Sequence, residues 1–183
     1  MNRWVELAVV LVNTLAITRV RGRTAAPPAD GPARLAALEG ALEGAGRRPW
    51  EGLTARDADR LAGVAAELRP VFCAGEDLLR VAAGLNEVLV RHGAVPNLHG
   101  EGPVLAFHRE GSDVVEAVAA DCATALAMVI GVGQAARLSS CSAGGCEAVF
   151  FDTTRNASRR FCSLACQNRA KASAYRARRA ARG

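Results

Sequence analysis

Four cysteines stand near the end of the sequence as Cys141-x4-Cys146 and Cys162-x3-Cys166, with fifteen residues between the pairs. Two close pairs joined by a short connection can close a tetrahedral shell on Zn2+. A shell made wholly of thiolates leaves no open position for a substrate water, so one such ion is structural rather than catalytic. Two disulfides in a secreted chain, or an iron–sulfur centre, are the rival uses of four thiols. A closed frame of hairpin and helix favours zinc over the cluster. About 40 residues with so few aromatics cannot bury enough surface to fold alone, so the metal is expected to supply the folding energy of this module.

The chain between and around these cysteines must aim every sulfur at one point. Gly144 and Gly145 allow the sharp bend inside the first pair. The stretches AVFFD and RRFC are short strand candidates, joined by TTRNAS, where Asp152 and Asn156 are ready turn formers. Ser163 is a candidate N-cap for a helix starting near Leu164. Cys166 then falls in its first turn, a thiolate at the positive end of the helix dipole.

Basic residues follow the thiols. Residues 141–183 hold nine (Arg155, Arg159, Arg160, Arg169, Lys171, Arg176, Arg178, Arg179, Arg182) against Glu147 and Asp152, a surplus of +7. The whole chain is +5, so residues 1–140 carry −2. A mildly acidic body with a basic end points to an anionic partner. On a helix, Arg169, Arg176 and Arg179 fall on neighbouring rows, as do Lys171, Arg178 and Arg182, with Tyr175 between. Arg159, Arg160, Asn168, Arg169, Lys171, Arg176, Arg178 and Arg179 are the candidate nucleic-acid contacts: arginines for phosphates, Asn168 for a base edge. Double-stranded DNA is the expected partner. One module has a small footprint, which makes a homodimer the expected binding unit. The competing reading is a solvated basic tail.

The stretch from Cys141 to Arg179 resembles the CGNR-type zinc finger. That family's pattern is Cys-x4-Cys, an aromatic–Asp–Ser/Thr-rich turn, Arg–aromatic–Cys, then Cys-Gly-Asn-Arg and a lysine. Here the last motif reads Cys166-Gln167-Asn168-Arg169, with Lys171 following. Gln167 replaces the naming glycine, and a helix accommodates glutamine more readily. The family usually carries an N-terminal helical region called ABATE, described as a stress-induced transcription regulator. The opening LAVVLVNTLA is similar to its signature at Asn13 and Thr14.

The first 138 residues read as the body that carries this module. Aromatics are 4% of the chain and half of it is hydrophobic, so the core is built from Leu, Val and Ala, which favours helices. Residues 1–23 are expected as a buried helix ending in a basic turn. Residues 24–32 are expected as a linker, since Pro27, Pro28, Gly31 and Pro32 punctuate it. A helix over 33–43 carries Leu35, Leu38 and Leu42. Thr54 with Asp57 is a capping pair for a helix with Leu61, Val64, Ala65 and Leu68 buried, stopped or bent at Pro70. A further helix over 75–92 presents Leu78, Leu79, Ala82, Leu85 and Leu89 and ends at Gly93. Residues 94–112 suggest a small β-ribbon around 104–107. Residues 113–138 are apolar nearly all round, the mark of a central helix.

The fold class expected is therefore mainly α. A helical ABATE-like domain with a small β-ribbon spans 1–138, and a C-terminal zinc-bound β-hairpin and helix module spans 139–183. Asn13 and Thr14 must find hydrogen-bond partners if buried. They are candidates to line a small-ligand pocket with Arg19 near its rim, although a satisfied structural hydrogen bond is the favoured reading. His92, His99 and His108 are read as polar surface before a second metal site. Cys73 and Cys122 are read as buried, inert thiols. No phosphate loop, HExxH or GxSxG occurs, so no enzyme is expected. The apolar run 7–17 is shorter than the ~20 residues a bilayer helix needs. Glu6 and the lack of a small-residue cleavage site argue against a signal peptide. No membrane association and a cytoplasmic location are expected. The function expected is a DNA-binding transcriptional regulator, a zinc module presenting a basic helix, with the helical body sensing a ligand or dimerising. The alternative is a ligand- or protein-binding module in which zinc only stabilises the tail.

Overall fold

The computed structural model describes residues 2–73, 75, 77–100 and 103–181. Arg182 of the expected basic helix lies outside the described residues, as do Glu76, Glu101 and Gly102.

The expectation of a mainly α chain is met: the described residues form six α-helices, three short antiparallel hairpins and two 3-10 turns. Helix α1 (Asn2–Leu15) lies at the centre, packed against α2 (Gly31–Gly44), α3 (Ala55–Leu68) and α5 (Val114–Gly131). Leu7, Leu11, Leu38, Leu61, Leu68, Phe72 and Leu126 are all buried to within 1%. Each such side chain contributes on the order of 1.5–3 kcal/mol of transfer free energy. Helix α4 (Leu78–Arg91) closes the outer side of α5.

The predicted starts and stops hold where a side chain supplies them. Thr54 Oγ1 accepts from the Asp57 N–H at 3.2 Å, and Asp57 Oδ2 accepts from the Thr54 N–H at 3.1 Å, a complete capping box. Gly93 closes α4 at φ +59°, with the Gly93 and Ala94 N–H groups donating to Val90 and Leu89 carbonyls. That is the Schellman arrangement.

Other expectations need correction. The first helix stops at Leu15, well short of residue 23. Beyond it β1 (Arg19–Val20) turns back as β2 (Arg23–Thr24) through Arg21 and Gly22, both at positive φ, as a type I′ turn requires. Helix α2 begins at Gly31 rather than 33. Asp30 caps it, and Pro32 sits in the first turn, where no N–H is needed. Gly31 is required there, because a Cβ would stand 2.6 Å from the Ala55 carbonyl of α3.

In α4 the buried stripe is Val81, Leu85 and Val88: Leu85 is buried as expected, Leu78, Ala82 and Leu89 are only half-buried, and Leu79 is 87% exposed. Helix α5 ends at Gly131 instead of 138, closed by Gly133 at φ +74°. Cys73 is exposed at the end of the short 3-10 turn Arg69–Cys73 that Pro70 enforces, whereas Cys122 is fully buried as expected.

The ribbon is present as β3 (Asn97–His99) and β4 (Val104–Ala106), paired His99 to Val104. A residue missed in the sequence pins it down. Asp121, 1% exposed on α5, accepts from the Phe107 N–H at 2.6 Å and contacts His108 Nδ1 at 3.1 Å. An acid set inside an apolar helix must find donors, which was the available signal.

Helix α5 has a mean hydropathy of 1.8 over 18 residues and is long and apolar enough to cross a membrane by length and composition alone. Its burial against α1, α3 and α4 accounts for that apolarity as the core of the helical body.

Candidate metal centre

The C-terminal module is seated on the body by a hairpin. Strand β5 (Leu138–Ser140) pairs antiparallel with β6 (Val149–Phe151), Ser139 opposite Phe150. Both strands rest on the 3-10 turn holding Val71 and Phe72. The expected hairpin between AVFFD and RRFC is therefore corrected: the partner of β6 lies before the first cysteine. Residues 159–162 are not a strand. They approach the first pair through one backbone bond, Ser142 N–H to the Arg160 carbonyl at 2.9 Å.

Between β5 and β6 the chain makes a tight knuckle. The Cys141 N–H donates to the Ala148 carbonyl at 2.9 Å and the Cys146 N–H to Ala143 at 3.0 Å. Gly145 takes φ +72°, and Gly144 is not needed for a positive φ. The docked β1–β2 hairpin braces this knuckle: Gly22 N–H donates to the Gly145 carbonyl, and Glu147 N–H to Arg19. Glu147 returns the contact by accepting from the Thr18 N–H at 2.9 Å and pairing with Arg69 at 3.3 Å. The Thr18 hydrogen bonds, helped by the Arg69 charge, lower the Glu147 pKa more than burial raises it, and its carboxyl lies below the usual range.

The second pair is positioned by a closed loop. Asp152, 1% exposed, accepts from Thr154 N–H (2.8 Å), Thr154 Oγ1 (2.6 Å) and the Arg159 N–H (2.7 Å). Burial pushes its pKa up, but these donors and the Arg137 charge outweigh burial and hold it low. Arg137 ties the loop down by donating to the Asp152 and Thr154 carbonyls at 2.9 and 2.7 Å. Ser163 then caps α6 (Leu164–Ala180), its Oγ accepting from the Cys166 N–H at 3.3 Å, as the sequence predicts.

The outcome is one cluster. The Sγ atoms of Cys141, Cys146, Cys162 and Cys166 all lie within 4.8 Å of one another. Cys146 to Cys162 is 3.8 Å and Cys162 to Cys166 is 3.6 Å. Zn–S bonds of about 2.3 Å at tetrahedral angles place sulfurs about 3.8 Å apart, so the donor set fits zinc in kind and in spacing. Cys141, Cys146 and Cys166 are buried and Cys162 is half-buried.

Without a cation, four thiolates this close cannot coexist. Burial and the neighbouring Cys166 push Cys162 up to about 12, and burial raises Cys166. Burial also opposes the Cys146 thiolate, but the N–H groups of Arg21 and Ala148 and the neighbouring thiols bring it down to about 7. A divalent ion relieves this conflict by taking all four as thiolates, with release of protons. A ring of four cysteines of this kind is a closed, structural zinc site. Residues 137–179 match the family model of the CGNR zinc finger. No curated protein matches this chain.

The candidate nucleic-acid residues divide. Arg169 points inward: Nη2 donates to the Gly144 carbonyl at 2.6 Å, and the guanidinium packs so close to Gly22 that a Cβ there would stand 2.7 Å from Nη1. Arg159 is exposed but folds back along the module, donating to the Phe161 and Cys162 carbonyls and stacking on Phe150 at 4.5 Å. Both act as straps of the module. Arg160, Asn168, Lys171, Arg176, Arg178 and Arg179 are exposed.

Asn13 binds the backbone of β6 on both sides, Nδ2 to the Val149 carbonyl at 2.9 Å and Oδ1 from the Val149 N–H at 2.8 Å. It serves as one more rung of the sheet, linking α1 to the zinc module, and it also lines a cavity described below. Thr14 and Arg19 do not line that cavity. Asn13→Ala leaves both Val149 groups without these partners. It is expected to lower stability by about 2 kcal/mol in denaturant titration, whereas Thr14→Ala is expected to change it by less than half as much.

His99 and His108 stack at 4.5 Å beside Asp121. Among the described residues, only the four cysteines form a group that could hold a metal ion.

Proposed function

We propose that this chain is a DNA-binding transcription regulator. Its zinc module holds α6 by one end, and its helical residues 1–138 form an ABATE-like sensing or dimerisation body. One observation supports this above others: every residue from 171 to 180 is exposed, and the cations among them have no acidic partner among the described residues. A helical segment exposed on every side gains nothing from packing on its own body. Its role is to meet another surface. At 3.6 residues per turn, Asn168, Lys171, Tyr175, Arg178 and Arg179 fall within an arc of about 100°, with Arg176 on its flank. One face thus combines an amide, an aromatic ring and three cations, suited to a major groove and its phosphates. The reading places the protein in the cytoplasm, where thiols stay reduced, and assigns it no catalysis.

The test is binding to generic duplex DNA across a range of salt. Affinity is expected to fall steeply with salt, and replacing Arg176, Arg178 and Arg179 together by alanine should reduce the log–log slope by about 2 to 3. Zinc content serves as the control for folding. Binding insensitive to both salt and these substitutions would leave the module as a staple for the tail.

A further inference from the structure

Helix α1 buries one apolar face against other helices and presents a second, mixed face beside the zinc module. Leu7, Ala8, Leu11 and Leu15 face the core. Glu6, Val9, Val10 and Asn13, at i, i+3, i+4 and i+7, form one wall of a cavity of about 490 Å³. Phe151 of β6 and Thr153, Arg159 and Cys162 of the zinc module form the facing wall, and Arg47 reaches in from beyond α2. This volume lies within the range of small-molecule sites, roughly 300–1,000 Å³.

The lining is chemically lopsided. Val9, Val10 and Phe151 give it an apolar, half-buried floor. The polar groups are Thr153, Asn13, whose amide is spent on Val149, Glu6, whose side chain is 61% exposed at the rim, the Cys162 thiol, and two guanidiniums already held in place. Arg159 is fixed by two carbonyl acceptors and the Phe150 ring, and it has no carboxylate partner among the described residues. Arg47 donates to the Arg3 carbonyl, and its only acid neighbour, Glu6, is 3.9 Å away with a 61% exposed side chain. Each guanidinium keeps unused N–H donors. Held cations over an apolar floor suit an anion with an apolar body, and pre-organisation lowers the entropy lost on binding.

We propose that this cavity binds a small carboxylic acid with an apolar body, its carboxylate at Arg47 and Arg159 and its body on Val9, Val10 and Phe151. The proposal deepens the reading of the helical body as a sensor and rests on it in that sense. It also says how a ligand reaches the module: Arg159 holds the carbonyl of Cys162, two residues before the start of α6.

The test uses the zinc-loaded full chain without DNA and three probes: octanoate, octanol and inorganic phosphate. Octanoate is expected to shift the methyl NMR signals of Val9, Val10 and Val149 saturably. Octanol should bind at least about tenfold more weakly, and phosphate alone should leave these signals unmoved. Arg47→Gln is expected to weaken octanoate on the order of tenfold with zinc content unchanged. Val10→Trp fills the cavity and should abolish the shifts. Equal binding of octanol and octanoate, phosphate binding as tight as octanoate, or unchanged octanoate affinity in both variants would each overturn the proposal. Octanoate binding with no affinity for duplex DNA would sink the DNA reading and leave this site standing. The reverse pattern would do the opposite.

Discussion

Cys166→Ser is expected to abolish zinc binding, where elemental analysis of the purified wild-type chain is expected to find a single equivalent. Cys166 is 0% exposed, and its sulfur stands 3.6 Å from that of Cys162. A serine there offers a poor ligand and leaves three thiols crowded around an incomplete shell. Structural zinc contributes on the order of 10–16 kcal/mol in small zinc-finger peptides, comparable to a typical domain's whole stability of about 5–15 kcal/mol. Loss of the ion should therefore unfold the module. The damage should spread, because Cys141, Cys146, Val149 and Cys166 belong to the same buried cluster as Leu11, Leu38 and Leu126. A chelator should lower the melting temperature of the whole chain and not merely erase a tail transition. Undiminished zinc in the variant, or an unchanged melting temperature after chelation, would remove the foundation of the metal site.

Asp152→Ala should produce the second largest loss, about 3 kcal/mol by denaturant titration. The carboxylate is 1% exposed and receives three hydrogen bonds that close the loop before Cys162. Without it the Arg159 and Thr154 N–H groups lose their acceptor, and the second cysteine pair loses its fixed approach. The pH dependence has a definite sign. The folded pKa lies below the ordinary 3.8, so Asp152 stabilises the fold fully above that value. Its contribution is lost as pH falls through the lowered folded value. Stability between neutrality and about pH 5 should be flat in this respect. Asp152→Asn keeps the shape and loses the acid-labile part. Parallel acid limbs for the wild type and for Asp152→Asn would assign that limb to other groups.

Much of this was legible from residue types alone. The cysteine spacing identified the ligands because few other uses of the chain put four thiols in two close pairs. Ser163, Thr54 with Asp57, and Gly93 worked as caps because a cap is a local arrangement between one residue and one or two neighbouring backbone groups. The failures are non-local. Nothing in TRVRGRT shows that it will leave the helix and brace the Gly144–Gly145 knuckle, more than 120 residues away. The strand partner of β6 was misjudged for a related reason: LSS reads as the tail of an apolar helix until Gly133 ends that helix. In α4 the run LLRVAAGLNEVLV is apolar over more than one face, so spacing permits two registers and packing against α5 chooses between them. Arg159 and Arg169 are charged, and charge suggests a partner outside. Only their geometry shows that they are straps, with Arg159 and Arg47 also lining the cavity.

The bracing of the knuckle by the N-terminal hairpin bears on how far the module can stand by itself. A zinc finger that folds on its own can be shuffled between proteins as a cassette. This one borrows an amide from Asn13, two carbonyl or N–H contacts from Arg19 and Gly22, and an ion pair from Arg69. Transplanted alone it would arrive without its scaffolding, so the excised module is expected to hold its fold less firmly than the same residues do in the full chain.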